Sequence, residues 1–284
     1  MLIPGLIYII LFQFAPMYGV IIAFQNFRPV HGFLGSEFVG LRWFRFILRM
    51  PDFRNIFSNT VIIAVAKMIV GQVVPIAFAL LLNEVWSRPY KRIVQTAVYL
   101  PNFLSWVIVG GIFIDILSMN GIVNRFLGVF AIEPIFFLGS NRWFRFTMVA
   151  TDVWKSYGFS AIIYLAALSN INPELYESGI IDGANRWQLT RHITLPGMAS
   201  TIVLLATLSL GSVLNAGFEQ ILIMYNPAVY RTGDIIDTFV YRAGLIDSQF
   251  SLAAAVGLSK SVISFVLIIV SYKLAYRFAN YRIF

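Results

Sequence analysis

Six stretches of the chain, residues 2–24, 59–82, 93–117, 146–168, 200–223 and 252–276, are predominantly apolar over roughly twenty residues each. That is the length of α-helix needed to cross the hydrocarbon core of a bilayer. Nothing else in the sequence restricts the fold as strongly. The chain is 59% hydrophobic and only 12% charged, against about 45–50% and about 25% in soluble domains, so a water-soluble fold would strand much of this surface in water. In lipid the backbone must satisfy its own polar groups, and helices do so within each segment. The reading is an all-α, multi-pass integral membrane protein with residues 1–284 as a single domain. Pro4, Pro16, Pro75 and Pro101 mark kinks in the spans, while Gly110, Gly111, Ala253, Ala254, Ala255 and Gly257 let helix backbones approach closely. The opening run lacks the basic start and small-residue cleavage site of a secretory signal, so it is read as a helix that stays. No basic segment precedes Leu2, the pattern expected where a native start lies upstream.

Other classes recede on specific grounds. There are no cysteines, which removes disulfides and thiolate metal sites, and His31 and His192 stand alone, so no metal site is supported. The net charge of +8 comes from basic residues beside apolar runs, which suits membrane anchoring and argues against a nucleic-acid partner. Between the first two spans, LRWFRFILR places Arg42, Arg45 and Arg49 on one helical face and Leu41, Phe44 and Leu48 on the opposite side, the pattern of a short helix lying in the membrane interface. Basic residues fall on both sides of the predicted spans in similar number, so charge alone does not orient the chain. Gly257-Leu-Ser-Lys-Ser261 has Ser259 where a phosphate-binding loop needs glycine, and it lies inside a span, so no ATP site is expected here.

The segment 169–196 carries the sharpest signal. Asn172 is suited to cap a helix, Pro173 to its first position and Glu174 to its positive end. Asp182-Gly183 supplies a turn, and a second short helix is predicted from Ala184 toward His192, ending before Leu195-Pro196. The segment resembles the cytoplasmic coupling loop of binding-protein-dependent ABC importer permeases at Glu177, Asp182, Gly183, Ala184, Ile193, Leu195 and Pro196, with Arg186 inside the same unit. Ser178-Gly179 departs from the two alanines common there. The runs 38–41 and 99–101, and the stretch from Gly217 through Pro227 to Thr238, are similar to carbohydrate-importer permeases, within them to the polysaccharide branch that includes alginate importers. The resemblance implies a six-helix type I importer transmembrane domain in the bacterial cytoplasmic membrane, a cytoplasmic N-terminus and alternating access. It also implies a second permease subunit, two cytoplasmic ATPase subunits that bind ATP and Mg, and an external solute-binding protein.

Charges inside spans are costly and mark cavities or partners. Lys67, Asp115, Asp152, Lys155, Glu219 and Lys260 are such charges, with Gln72 and Asn215 as neutral companions. Two readings stay open: pairing, for instance of Asp152 with Lys67 or Lys260, that serves only packing, and lining of a substrate pathway. Trp154 and Tyr157 beside Asp152 and Lys155 offer ring faces for a sugar, or pack helices. An excess of lysine over acid in this layer suits an acidic oligosaccharide such as alginate. A secondary transporter or an integral membrane enzyme of polysaccharide or lipid metabolism is the alternative; the former calls for internal repeats and the latter for a convergent catalytic cluster, and neither pattern is evident.

Overall fold

A computed structural model describes residues 2–279. Its main helices are α1 (Ile3–Phe24), α2 (Arg42–Arg49), α3 (Pro51–Asn83), α4 (Arg88–Phe103), α5 (Trp106–Ile116), α6 (Ile122–Val129), α7 (Phe144–Ser169), α8 (Pro173–Ile181), α9 (Arg186–Leu210), α10 (Phe218–Met224), α11 (Ile236–Tyr241) and α12 (Phe250–Ala279). Two short strands, Gln25–Asn26 and Glu37–Phe38, pair antiparallel beyond the end of α1. Among the described residues, α1, α3, α9 and α12 are each long and apolar enough to cross a bilayer, and α4 with α5 makes a fifth candidate if the bent pair counts as one span. The predicted span 146–168 falls on α7, which is 26 residues long but carries Arg145, Asp152 and Lys155 in its first half.

Proline and glycine account for most departures from straight spans. The predicted continuous span 93–117 is broken: α4 and α5 meet at 104°. Pro101 removes one backbone donor, and Ser105 takes an extended conformation and accepts from the amide of Ile108 (3.4 Å), capping a new helix. The predicted span 200–223 also fails to run through. Helix α9 stops at Leu210, and α10 begins after Gly217, whose φ of +91° lies in the region that favours glycine. Conversely, the predicted stop before Leu195-Pro196 does not occur. A wide π-turn at Thr190–Thr194 leads into Pro196, and α9 continues from the loop into the span without interruption. The same device, a π-turn at Ile10–Phe14, precedes Pro16 in α1. A proline ring collides with the carbonyl four residues back, and a wider turn relieves that collision at Phe12 and at His192.

Lipid tails are as apolar as leucine, so helices in a membrane are held by close packing and buried hydrogen bonds rather than by the hydrophobic effect. Three clusters provide the packing. Ile63, Phe144, Met148 and Ile221 join α3, α7 and α10. Ala23, Ile47, Ile56, Ile236 and Val256 join α1, α2, α3, α11 and α12. Ala79, Tyr164, Leu168 and Met198 join α3, α7 and α9. Gly158 on α7 lets α4 approach to backbone contact, since a Cβ there would sit 2.2 Å from the Val98 carbonyl oxygen. The apolar face predicted for α2 is corrected: of Leu41, Phe44 and Leu48 only Phe44 packs inward, joined by Trp43 and Ile47, while Leu41 and Leu48 are exposed. Trp43 fixes this register by donating Nε1–H to the Gln25 carbonyl at 2.9 Å.

Candidate functional site

A polar band runs between α3, α7, the broken segment 211–217 and α12. Its hub is Lys67, only 9% exposed. Its Nζ lies 3.2 Å from Asp152 Oδ1 and donates to the Ala216 carbonyl at 2.8 Å and to Gln220 Oε1. Gln220 in turn donates to the Met148 carbonyl (2.9 Å) and to Thr151 Oγ1 (2.7 Å). A buried ammonium needs this full set of partners, because an unpaired charge in an apolar interior is very costly. Gly217 completes the fit: a Cβ there would stand 2.5 Å from Lys67 Nζ. Beside this hub a cavity of about 400 Å³ is lined by Lys67, Gln72, Asp152, Asn215 and a set of serines that includes Ser156 and Ser160. Gln72 also donates to the Ile202 carbonyl (2.9 Å), tying α3 to α9. A second cavity of about 590 Å³ shares Asn215 and adds Asp237 and Lys260. Lys260 Nζ is 2.6 Å and 2.8 Å from the two Asp237 carboxylate oxygens and 3.3 Å from Asn215 Oδ1.

Five of the predicted pathway residues therefore converge: Lys67, Gln72, Asp152, Asn215 and Lys260. The other four lie elsewhere. Trp154 is half exposed and meets the Phe113 ring of α5 edge-on at 5.3 Å. Tyr157 meets the Phe78 ring of α3 at 5.2 Å. Lys155 donates to the Asn102 carbonyl at 3.1 Å, with its ammonium 5.4 Å from the centre of the Trp106 ring. Glu219 is exposed on α10 and lines neither polar cavity. At about 100° per residue, Asp152, Ser156 and Ser160 share one face of α7, whereas positions 154, 155 and 157 turn away from it. The expected lysine surplus is also corrected: the cleft holds two lysines and two aspartates, because Asp237 enters it and Lys155 does not.

Asp237 lies within the stretch similar to importer permeases but lacks the signal of a charge inside a span, since it sits in a connection between predicted spans. Buried hydrogen bonds deliver it. Asn59 on α3 donates to the carbonyls of Arg231 (3.2 Å) and Asp234 (3.0 Å) and accepts from Arg145 of α7 (2.6 Å). The Ile236 amide donates to Thr60 Oγ1 (2.9 Å). Arg242 pairs with Asp234 and lies 4.6 Å from the centre of the Tyr230 ring, which stacks on Tyr225. Burial, reinforced by Tyr230, pushes the Tyr225 hydroxyl up to about 12, so it stays neutral.

At the other end of α3 and α7 lies the elbow formed by α8 and the start of α9. Asn172 Oδ1 accepts from the Glu174 amide (3.1 Å), and Ser178 Oγ donates to the Glu174 carbonyl (2.9 Å). Asp182 closes α8, Gly183 turns the chain at φ +79°, and the Ala184 amide donates to the Gly179 carbonyl (2.9 Å). Asn185 and Gln188 then form a reciprocal cap on the next helix. Gly179 has a packing reason, since a Cβ there would lie 2.7 Å from Leu189 Cδ2 where the two arms meet. The elbow is tied to α3 by Arg186 and Glu84 (2.6 Å). Glu177, Pro196 and His192 are exposed, Leu195 half-buried, and Leu175, Ile180, Ile181 and Trp187 form an exposed apolar surface.

A sequence model of the family described as "Binding-protein-dependent transport system inner membrane component" matches residues 71–280. The chain is 40% identical over its whole length, and over 89% of the relative's length, to the polygalacturonan/rhamnogalacturonan transport system permease protein YteP of Bacillus subtilis. It is 27% identical, over 96% of itself and 86% of the relative, to the arabinooligosaccharides transport system permease protein AraP of the same organism. Among solved structures it is similar to a bacterial ABC transporter involved in the import of the acidic polysaccharide alginate, at a TM-score of 0.89 and 37% identity, covering 98% of this chain and 94% of that one.

Proposed function

The chain belongs to the family of binding-protein-dependent transport system inner membrane components, and from that membership we propose that it passes an acidic, uronate-containing oligosaccharide through the polar cleft. It is a permease of a sugar ABC importer in the bacterial inner membrane. The observation that carries the finer reading is the pairing of Lys67 with Asp152 and of Lys260 with Asp237, around cavities that share Asn215. In each pair the aspartate is the more exposed partner, 29% against 8% and 27% against 16%. A sugar carboxylate arriving from the cleft can take over a lysine while the displaced aspartate turns to water, so the lysine is never left without a carboxylate partner. The flanking serines and Asn215 supply hydroxyl and amide partners for sugar hydroxyls. The similarity to a polygalacturonan permease and to an alginate importer supports the same substrate class.

The energy comes from outside the chain. In this reading two cytoplasmic ATPase subunits bind ATP and Mg and press on Glu177–Ala184. An external binding protein delivers the sugar, and a second permease closes the other side of the pathway. Because α9 continues through the π-turn, a push on the elbow moves α9 as one rod. The far end of that rod is Leu210, joined directly to the segment that carries Asn215 and the Ala216 carbonyl held by Lys67. Force on the elbow thus reaches the cleft through one continuous element, the basis of alternating access here. Uptake by the assembled transporter in proteoliposomes, with galacturonate or mannuronate oligomers against neutral oligomers of equal length, tests the substrate class. A clear preference for the neutral sugars overturns it.

A further inference from the structure

Helix α2 presents a second charged surface that the transport reading does not use. Arg42, Arg45 and Arg49 line a shallow cavity of about 520 Å³ together with Trp43, Phe46 and Leu41. Among the described residues, none of the three arginines is within ion-pair distance of a carboxylate. The surface is held in place from behind, because Trp43, Phe44 and Ile47 are packed against α1, α3 and α12. The spacing 42, 45, 49 sets the guanidinium groups along one stripe, and Phe46, 50% exposed, lies within that stripe. Leu41 and Leu48 flank it at 56% and 81% exposure. Such interleaving of arginine with exposed apolar side chains suits the boundary between headgroups and acyl chains better than open water. Its depth agrees, since α2 immediately precedes the start of α3, and the opposite end of α3 reaches the elbow at Glu84.

We infer that this surface binds the phosphodiester headgroup of an anionic phospholipid in the outer leaflet, with acyl chains lying along Phe46 and Leu48. The guanidinium fork matches two phosphate oxygens, and three forks on a rigid helix favour an anionic headgroup over a zwitterionic one. Sugar capture is disfavoured by position, since no residue of α2 lines either polar cavity.

The assembled transporter, in nanodiscs of phosphatidylcholine with and without phosphatidylglycerol, provides the test by native mass spectrometry of retained lipid. The wild type is expected to retain phosphatidylglycerol preferentially. Each exposed arginine is worth about a fivefold change in that preference, so Arg42→Gln/Arg45→Gln/Arg49→Gln should abolish it. The corresponding triple lysine variant should keep part of it. Thermal stability in pure phosphatidylcholine should match the wild type. Should the triple variant prove unstable there, Arg45→Gln alone must still show the single-arginine loss. Undiminished phosphatidylglycerol retention in the glutamine variant overturns the inference. So does unchanged lipid retention with loss of trigalacturonate uptake, which would assign the arginines to the sugar.

Discussion

Lys67 shows how much a single side chain is asked to do in this molecule. It bridges α3, α7 and the break before α10, and its partners include a carboxylate, an amide oxygen and a backbone carbonyl. Lys67→Met leaves Asp152 and Gln220 without their cation, and breaking a buried pair by removing one partner costs about 3–5 kcal/mol. Thermal unfolding of the purified permease should therefore show a large loss, and Lys67→Met with Asp152→Leu should recover part of it. With Asp152→Leu alone completing the cycle, a double variant whose loss equals the sum of the two single losses would mean that the pair is not coupled. The Lys260–Asp237 pair faces the larger of the two cavities, so Asp237→Asn is expected to leave folding intact and change transport instead. With Lys260 freed, binding of acidic oligosaccharides to the assembled transporter should tighten several-fold. The charged members at 67, 152 and 260 were legible as charges inside spans, a rare and expensive pattern. The pairing of Lys67 with Asp152 was one of the readings the sequence left open, whereas Gln220 and Asp237 were not legible as partners, because Lys67 meets Gln220 across 153 positions and Lys260 meets Asp237 across 23.

Elements behave as rods joined at breaks, and the breaks are placed by proline and glycine. The elbow was readable in advance at Asn172, Pro173 and Gly183, each of which takes the role its chemistry suggests. Its exit was not, since a π-turn carries the chain past Pro196 where a stop was expected. Gly183 has open space around its Cα but a φ of +79°, so substitution there meets strain rather than collision. Gly183→Val should cost roughly 1–2 kcal/mol locally and sharply reduce transport-coupled ATP hydrolysis with the subunit still inserted. Unchanged coupling would remove the elbow from the mechanism. Gly158→Leu presents the opposite case, a collision with the Val98 carbonyl. It should separate α4 from α7 and destabilise the bundle by about 1–3 kcal/mol, measured as a lower Tm.

At the scale of the whole molecule, the two ends of α3 carry different work. The N-terminal end adjoins α2 and the anchored segment around Asp234, and the C-terminal end adjoins the elbow. The chain has no native cysteine, so a single introduced thiol reports sidedness cleanly. Ala184→Cys should react with an impermeant maleimide only from the cytoplasmic side. Leu34→Cys, at a position 96% exposed, should react only from outside. External labelling at position 184 would sink the proposed docking of an ATPase there, and co-purification of the chain with an ATPase checks the same assembly directly.

What the sequence determined by itself is the solvent: runs of this length and apolarity permit only lipid-embedded helices, because the backbone has no other way to satisfy its polar groups there. It also determined the elbow, whose caps and turn are local chemistry. Tertiary structure decided where the rods bend, which face of α7 meets the cleft, and that Asp237 balances Lys260. Helical periodicity names a face without naming its neighbour, and ion pairs form between groups that only packing brings together.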